Sequence, residues 1–281
     1  MLFILINLTL YFISFGVTQF YNNKTYKYHE FNLMIKNFES SLLSTLIFEK
    51  DYAKDMNPGT AETVLSNIES NISLLKKILD HAEEKKADLK TLSELLGTYK
   101  KKFMILLSNN NQISALKHQW DELFEDFYQR SDDIAQKVDN IIGMAYLDGD
   151  YADPMYGSFA ISNKNMIHAL SEISLGVNRD LLLYDDEKGF LKIRREALQL
   201  LDKERKNITA LAKNTKNELF TGLSAYSEKH LEKIESLTDE IHQLWKNNTQ
   251  ISSELDAVRK GMIVGEKGLS SWIQSSLDDI K

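Results

Sequence analysis

The most regular pattern in the chain is a stripe of apolar positions between residues 89 and 145. From Leu89 they recur at Leu92, Leu96, Tyr99, Phe103, Leu106, Ile113, Trp120, Phe124, Phe127, Ile134, Val138, Ile141 and Ala145. Steps of three and four residues place all of these on one face of a helix. Only Asn110, Lys117 and Ser131 interrupt the register. The stripe predicts a single helix of about 60 residues, roughly 85 Å long at 1.5 Å per residue. Such a helix needs partners along its whole length. A second long helix is predicted toward the C-terminal end. There Leu223, Tyr226, His230, Ile234, Leu237, Ile241, Leu244, Ile251, Leu255, Val258, Met262, Leu269 and Trp272 hold the same register, with His230 and Asn248 as polar interruptions.

Four shorter helices fill the rest. The first is predicted to run to about Met56, where Asn57-Pro58-Gly59 stops it. Thr60 and Thr63 suit a fresh start, and Val64, Ile68, Ile72, Leu75 and Leu79 carry the second helix to the charged stretch Glu83-Glu84-Lys85-Lys86. After the long third helix, Asp148-Gly149-Asp150, Asp153-Pro154 and Gly157 make a loop. The fourth helix is predicted over about 158–184 and the fifth over about 187–217. Two long and four short helices predict an all-α fold: two stacked four-helix bundles sharing the two long helices, six helices in all. The membrane-proximal bundle takes about 25–108 plus 250–281, and the membrane-distal bundle about 112–248. Polar patches at Ser108-Asn109-Asn110-Asn111-Gln112 and Lys246-Asn247-Asn248-Thr249-Gln250 are expected near the junction. A shift of 129 residues sets Glu49-Lys50-Asp51-Tyr52 over Asn178-Arg179-Asp180-Leu181 and Asn57-Pro58 over Asp186-Glu187, which suggests a repeated helix–turn–helix unit.

The first charged residue is Lys24, and residues 1–22 are long and apolar enough to be read as a transmembrane anchor, followed by a sensor region over 23–281. Asn7, Thr9, Ser14, Thr18 and Gln19 make the span less apolar than an ideal one. No basic flank precedes it and no small-residue cleavage site follows, which argues against a cleaved signal peptide. We therefore expect the sequence to begin inside or beside the span. Orientation cannot be read from charge asymmetry, and Lys24 and Lys27 beyond the span argue weakly for the opposite one.

Composition narrows the function. With no cysteine there is neither a disulfide framework nor a thiolate metal site. Two prolines and 12 glycines in 281 residues leave few helix breaks and disfavour a turn-rich β fold. A net charge of −7 with mixed signs offers no basic face for nucleic acid; Lys100-Lys101-Lys102 is short and isolated. The six histidines form no His-x-x-x-His pair, and no Glu is followed three residues later by His, so a di-iron bundle is not expected. Gly261, Gly265 and Gly268 sit in a helical register without the strand a phosphate loop requires. The chain is expected not to be an enzyme and to need no metal or cofactor.

Polar residues on core stripes mark the candidate binding positions. Phe38, Leu42, Thr45, Glu49, Tyr52 and Met56 share one spacing, which turns Glu49 inward. A buried carboxylate must be paired or hydrogen-bonded. Glu49 is read either as one wall of a ligand pocket with Thr45, Tyr52, Tyr99 and Arg259, or as half of a structural ion pair with Lys50 or Arg259. In the distal bundle the polar positions nearest the core are Ser131, Asn178, Arg179, Arg194 and His230. Arginine suits anionic ligands through its planar fork of donors, although Arg179 and Arg194 on a solvated face is the plainer reading.

In this arrangement the chain resembles the helical bimodular sensor domains of bacterial chemoreceptors and sensor histidine kinases. Glu49-Lys50-Asp51-Tyr52 is similar to the latter part of an Arg-x-x-Glu-Lys-Asp-aromatic motif at the end of their first helix, and Asn178-Arg179-Asp180-Leu181 is a looser copy. Where the motif would have its arginine this chain has Leu46, with Ile47 beside it. The resemblance implies a periplasmic sensor anchored in the bacterial inner membrane, working as a parallel homodimer, whose last helix runs toward a second span. It implies a small organic ligand, of which an organic acid is one candidate, bound in a helical bundle. The alternative is a docking platform for a periplasmic binding protein, contacted at a tip around Met155, Tyr156 and Phe159. The output, whether chemotaxis, phosphorelay or cyclic-dinucleotide synthesis, lies outside this sequence.

Overall fold

A computed structural model describes residues 2–81, 86–149 and 151–263, with backbone alone for 2–13, 21, 23, 24, 28, 54, 55, 81 and 86–88. All its regular structure is helical: α1 (Leu2–Asp55), α2 (Pro58–His81), α3 (Lys86–Leu147), α4 (Pro154–Leu175), α5 (Glu187–Thr215) and α6 (Glu218–Ile263). A π-helical segment, Gly176–Leu183, continues α4. Among the described residues no helix is long and apolar enough to cross a membrane. The expected anchor at 1–22 falls on the start of α1, where most of its side chains lie outside the described ones, and Leu269 and Trp272 of the last stripe lie outside the described residues.

The chain divides into two compact units, residues 1–107 with 250–281 and residues 108–249. In the first unit, α1, α2, the start of α3 and the end of α6 enclose one core. Phe38, Leu42, Val64, Ile68, Leu96, Phe103 and Met262 are each at most 1 % exposed there. In the second, the rest of α3, α4 with its π segment, α5 and the start of α6 enclose another, with Phe127, Val138, Phe159, Phe190, Leu223 and Ile241 fully buried. Phe159 stacks on Phe220 at 4.2 Å between ring centroids. The apolar stripes are what is buried: Leu92, Leu96, Tyr99, Phe103, Ile113, Trp120, Phe127, Ile134 and Val138 of α3 all face a core.

The turns follow from local chemistry. Met56 and Asp185 both adopt left-handed backbone, with φ of 49° and 57°. The next residue in each case is an Asx cap: Asn57 Oδ1 accepts from the Gly59 N–H at 2.8 Å, and Asp186 Oδ1 from the Gly189 N–H at 3.0 Å. These pairs stand 129 residues apart, so the turn is built twice in one way. The helices entering it differ. α1 stays α-helical to its end, with the Met56 N–H bonded to the Tyr52 carbonyl, whereas the second copy is underwound and the Tyr184 N–H reaches the Arg179 carbonyl.

Three expectations need correction. Helix α4 begins at Pro154 and not near Ser158, because Asp153 caps it (Met155 N–H to Asp153 Oδ1, 3.0 Å) and proline suits the first turn. The continuous helix expected to Tyr184 changes to π geometry at Gly176. Met56, expected on the core stripe of α1, is 51 % exposed, since its left-handed backbone turns it out of the helix.

Candidate functional site

In the first unit Glu49 projects from α1 into the core at 5 % exposure. The Tyr99 hydroxyl of α3 donates to its Oε2 in a short hydrogen bond. Arg259 of α6 brings Nε to 3.7 Å from the same oxygen, while its Nη2 pairs with Asp256. Three helices therefore meet at one carboxyl. Burial pushes the Glu49 carboxyl above the usual carboxylate range, against the hydrogen bond from Tyr99 and the charge of Arg259. Burial and the adjacent Glu49 also hold the Tyr99 phenol far above its ordinary value. Helix α2 adds Asn71, fully buried, whose Nδ2 donates to Thr45 Oγ1 at 3.0 Å; Thr45 in turn donates to the Ser41 carbonyl. Two buried atoms here, Asn71 Oδ1 and Arg259 Nε, have no hydrogen-bond partner among the described residues.

Of the five positions expected in this unit, Glu49, Tyr99 and Arg259 are brought together. Tyr52 packs its ring edge-on against Phe103 at 5.6 Å, and Thr45 engages Asn71. Sequence reading missed Asn71, which stands between Ile68, Ile72 and Leu75 and interrupts an otherwise apolar stripe; that interruption was the available signal.

The second unit treats its five expected residues differently. Arg179 grips the carboxylate of its own neighbour Asp180 through Nε at 2.6 Å and Nη2 at 3.1 Å. Asn178 donates back to the Ser174 carbonyl. Arg194 pairs with Asp239 at 2.5 Å and with Glu235 at 3.8 Å on α6. His230 Nδ1 lies 2.9 Å from the Tyr226 carbonyl, and its ring stacks on Tyr226 at 3.9 Å. Ser131 is fully buried and touches Asn163, whose Nδ2 donates to the Ser131 carbonyl at 2.9 Å. No hydrogen bond or ion pair joins these five to one another among the described residues. Asn178, Arg179 and His230 are taken by groups within four residues of themselves, whereas Arg194 reaches across to α6 and the Ser131 hydroxyl has no hydrogen-bond partner among the described residues.

The polar centre of this unit is one that sequence reading missed. Glu204 of α5, 2 % exposed, accepts from Ser162 Oγ at 2.7 Å, Asn207 Nδ2 at 2.9 Å and Asn165 Nδ2 at 3.1 Å. Burial raises its pKa, but the three donors outweigh that and hold it below the ordinary carboxylate range. Its place on the stripe Ala197, Leu201, Glu204, Ile208 was legible as a charge in an apolar register.

Two open grooves lie on the surface of the second unit. The larger, about 760 Å³, runs between α3 and α6 past Leu116, Glu232, Glu235, Asp239, Glu240 and Leu244. The smaller, about 390 Å³, lies along α5 beside Leu191, Arg194 and Leu198. Among the described residues no group of three acidic or histidine side chains could hold a metal ion. Of the tip expected around Met155, Tyr156 and Phe159, the first two are half-buried. Phe159 is fully buried and Tyr156 packs on Phe220 at 5.6 Å. The apolar side chains in the open there are Met144, Tyr146, Leu147 and Tyr151, at 67, 65, 87 and 93 % exposure. No family model, curated protein or solved structure matches the chain.

Proposed function

We propose that the chain is the extracytoplasmic sensory region of a bacterial transmembrane signalling receptor, held in the inner membrane by residues 1–22 and taking a small ligand in its first helical unit. The stacking of the two units expected from the sequence, and the parallel dimer, belong to this proposal. One observation carries it: an ionisable cluster of Glu49, Tyr99 and Arg259, drawn from three helices, inside an otherwise apolar core. A purely structural bundle gains nothing from such a group, since apolar residues of similar volume often match or exceed a buried ion pair in stability. Arg259 Nε, which pairs with Glu49 at 3.7 Å without a hydrogen bond, and Asn71 Oδ1 supply a donor and an acceptor for a ligand's polar head. A ligand that takes over one partner of Glu49 changes what ties α1 to α3 and α6, and only such differential binding shifts a conformational equilibrium.

A second reading rests on Met144, Tyr146, Leu147 and Tyr151. Exposed aromatic and aliphatic anchors of this kind suit a protein partner, as in the binding-protein docking platform. A thermal-shift screen of the full chain in detergent against organic acids, amino acids and amines separates the two. A ligand at a hundredfold excess over Kd stabilises by about 2.7 kcal/mol. Direct sensing requires at least one saturable rise in Tm that Glu49→Gln or Arg259→Ala abolishes. A screen in which every compound leaves Tm unchanged overturns it in favour of docking.

A further inference from the structure

We infer that the interior of the second unit holds a small monovalent cation at Ser131 and Asn163, beside Glu204. Asn163 is 2 % exposed and Ser131 fully buried. The Asn163 amide is oriented by its Nδ2, which donates to the Ser131 carbonyl at 2.9 Å. Flipping that amide would set two carbonyl oxygens against each other. Its Oδ1 is therefore fixed as an acceptor, and it has no hydrogen-bond partner among the described residues; nor has Ser131 Oγ. Two orphaned buried oxygens, on residues already joined by that hydrogen bond, call for an occupant that donates to them or coordinates them.

The adjacent residue, Ser162, sets the charge of that occupant. Its hydroxyl donates to Glu204 Oε2 at 2.7 Å, so the residue next to the orphaned amide on α4 is bonded to a buried carboxylate of α5. Three donors keep Glu204 ionised, yet they are all neutral. Its one ion pair among the described residues is with Lys203 at 3.8 Å, beyond a hydrogen bond, on a side chain 70 % exposed. A negative charge kept inside a bundle without a buried counter-charge is costly, and a cation at the two oxygens offsets it. A donor set of neutral oxygens, whose nearest carboxylate already accepts three hydrogen bonds, suits a monovalent ion better than a divalent one, which takes carboxylates directly or keeps several waters. Ammonium, the head of a primary amine, or an alkali ion fits this chemistry. The site is independent of the Glu49 cluster, and it assigns Ser131 to an ion and not to the sensed organic molecule.

The test is the Tm of the full chain in ammonium, methylammonium, potassium and tetramethylammonium chlorides at equal ionic strength. A saturable rise in ammonium and methylammonium alone supports an amine-type occupant; an equal rise in potassium supports an alkali ion. Tetramethylammonium, with no N–H and too bulky for two buried oxygens, leaves Tm flat. Ser131→Ala removes one hydrogen bond to a charged group and weakens the apparent affinity by about tenfold or more. Glu204→Gln weakens it again by removing the charge. No cation-specific rise in the wild type, meaning internal water only, overturns the inference. So does a rise of unchanged affinity in Ser131→Ala, the milder variant, which keeps the test decisive if Glu204→Gln does not fold.

Discussion

Replacing Tyr99 by phenylalanine removes one oxygen from a fully buried side chain and leaves the ring in place, so what is lost is the hydrogen bond to Glu49 and almost no packing. A hydrogen bond to a charged group contributes about 1.5–3 kcal/mol, and a neutral one about 0.5–1.5 kcal/mol. Which value applies depends on the protonation of Glu49, and the structure sets the sign. Burial raises the folded pKa of Glu49 above its unfolded value. Its protonation therefore stabilises the fold fully at pH below the ordinary carboxylate pKa, and that contribution is lost as pH rises through the raised folded value. Tyr99 lowers that folded value by donating to the ionised form, so its removal raises it further. Tyr99→Phe should then cost about 1.5–3 kcal/mol at pH above the raised folded value, where Glu49 is ionised, and less as the medium is acidified. In a Glu49→Gln background the cost should drop to the neutral range and become independent of pH. Urea denaturation followed by circular dichroism gives the size, and hydrogen exchange of the α1 amides around Glu49 gives the location. A cost that is the same in the Glu49→Gln background, or unchanged across pH, would refute the role given to this carboxyl.

Other consequences follow from the same packing. Phe159→Ala, emptying a fully buried position stacked on Phe220, should destabilise the second unit by about 3–5 kcal/mol in chemical denaturation. Asn57→Ala and Asp186→Ala each remove the Asx cap of one copy of the repeated turn and should cost about 1 kcal/mol apiece, additively, because the caps share no partner. Gly189→Ala should behave like Asp186→Ala, since an added Cβ would lie 2.3 Å from an Asp186 carboxylate oxygen and displace the cap. Glu204 has a lowered folded pKa, so its contribution is present above the ordinary carboxylate range and lost as pH falls through the folded value. Acid titration should weaken wild type more steeply than Glu204→Gln, opposite in sign to the effect at Glu49.

Much of this architecture was legible in the residue pattern. The three-and-four spacing named the buried positions of α3 and α6 almost one by one, because a helix repeats every 3.6 residues whatever surrounds it. The breaks at Asn57-Pro58 and Asp153-Pro154 were legible for the same local reason: proline and Asx caps act within a few residues. Glu49 could be placed inside from its own register. Its partners were less determined, since reaching Tyr99 and Arg259 meant knowing which helices adjoin α1.

Only the tertiary structure decided the rest. Ser131, Asn178, Arg179, Arg194 and His230 lie near core stripes in sequence, yet Asn178, Arg179 and His230 are taken by groups within four residues and Arg194 by carboxylates of α6, and proximity to a stripe says nothing of which way a long side chain leans. The π geometry of Gly176–Leu183 has no counterpart in α1 at the matching positions, although both runs end in the same left-handed residue and cap. Glu204 could be read as a charge in an apolar register, but what holds it could not. Only the packing of α4 on α5 gives it Ser162 and Asn165, because hydrogen-bond partners 42 and 39 residues away are set by the fold and not by any local rule.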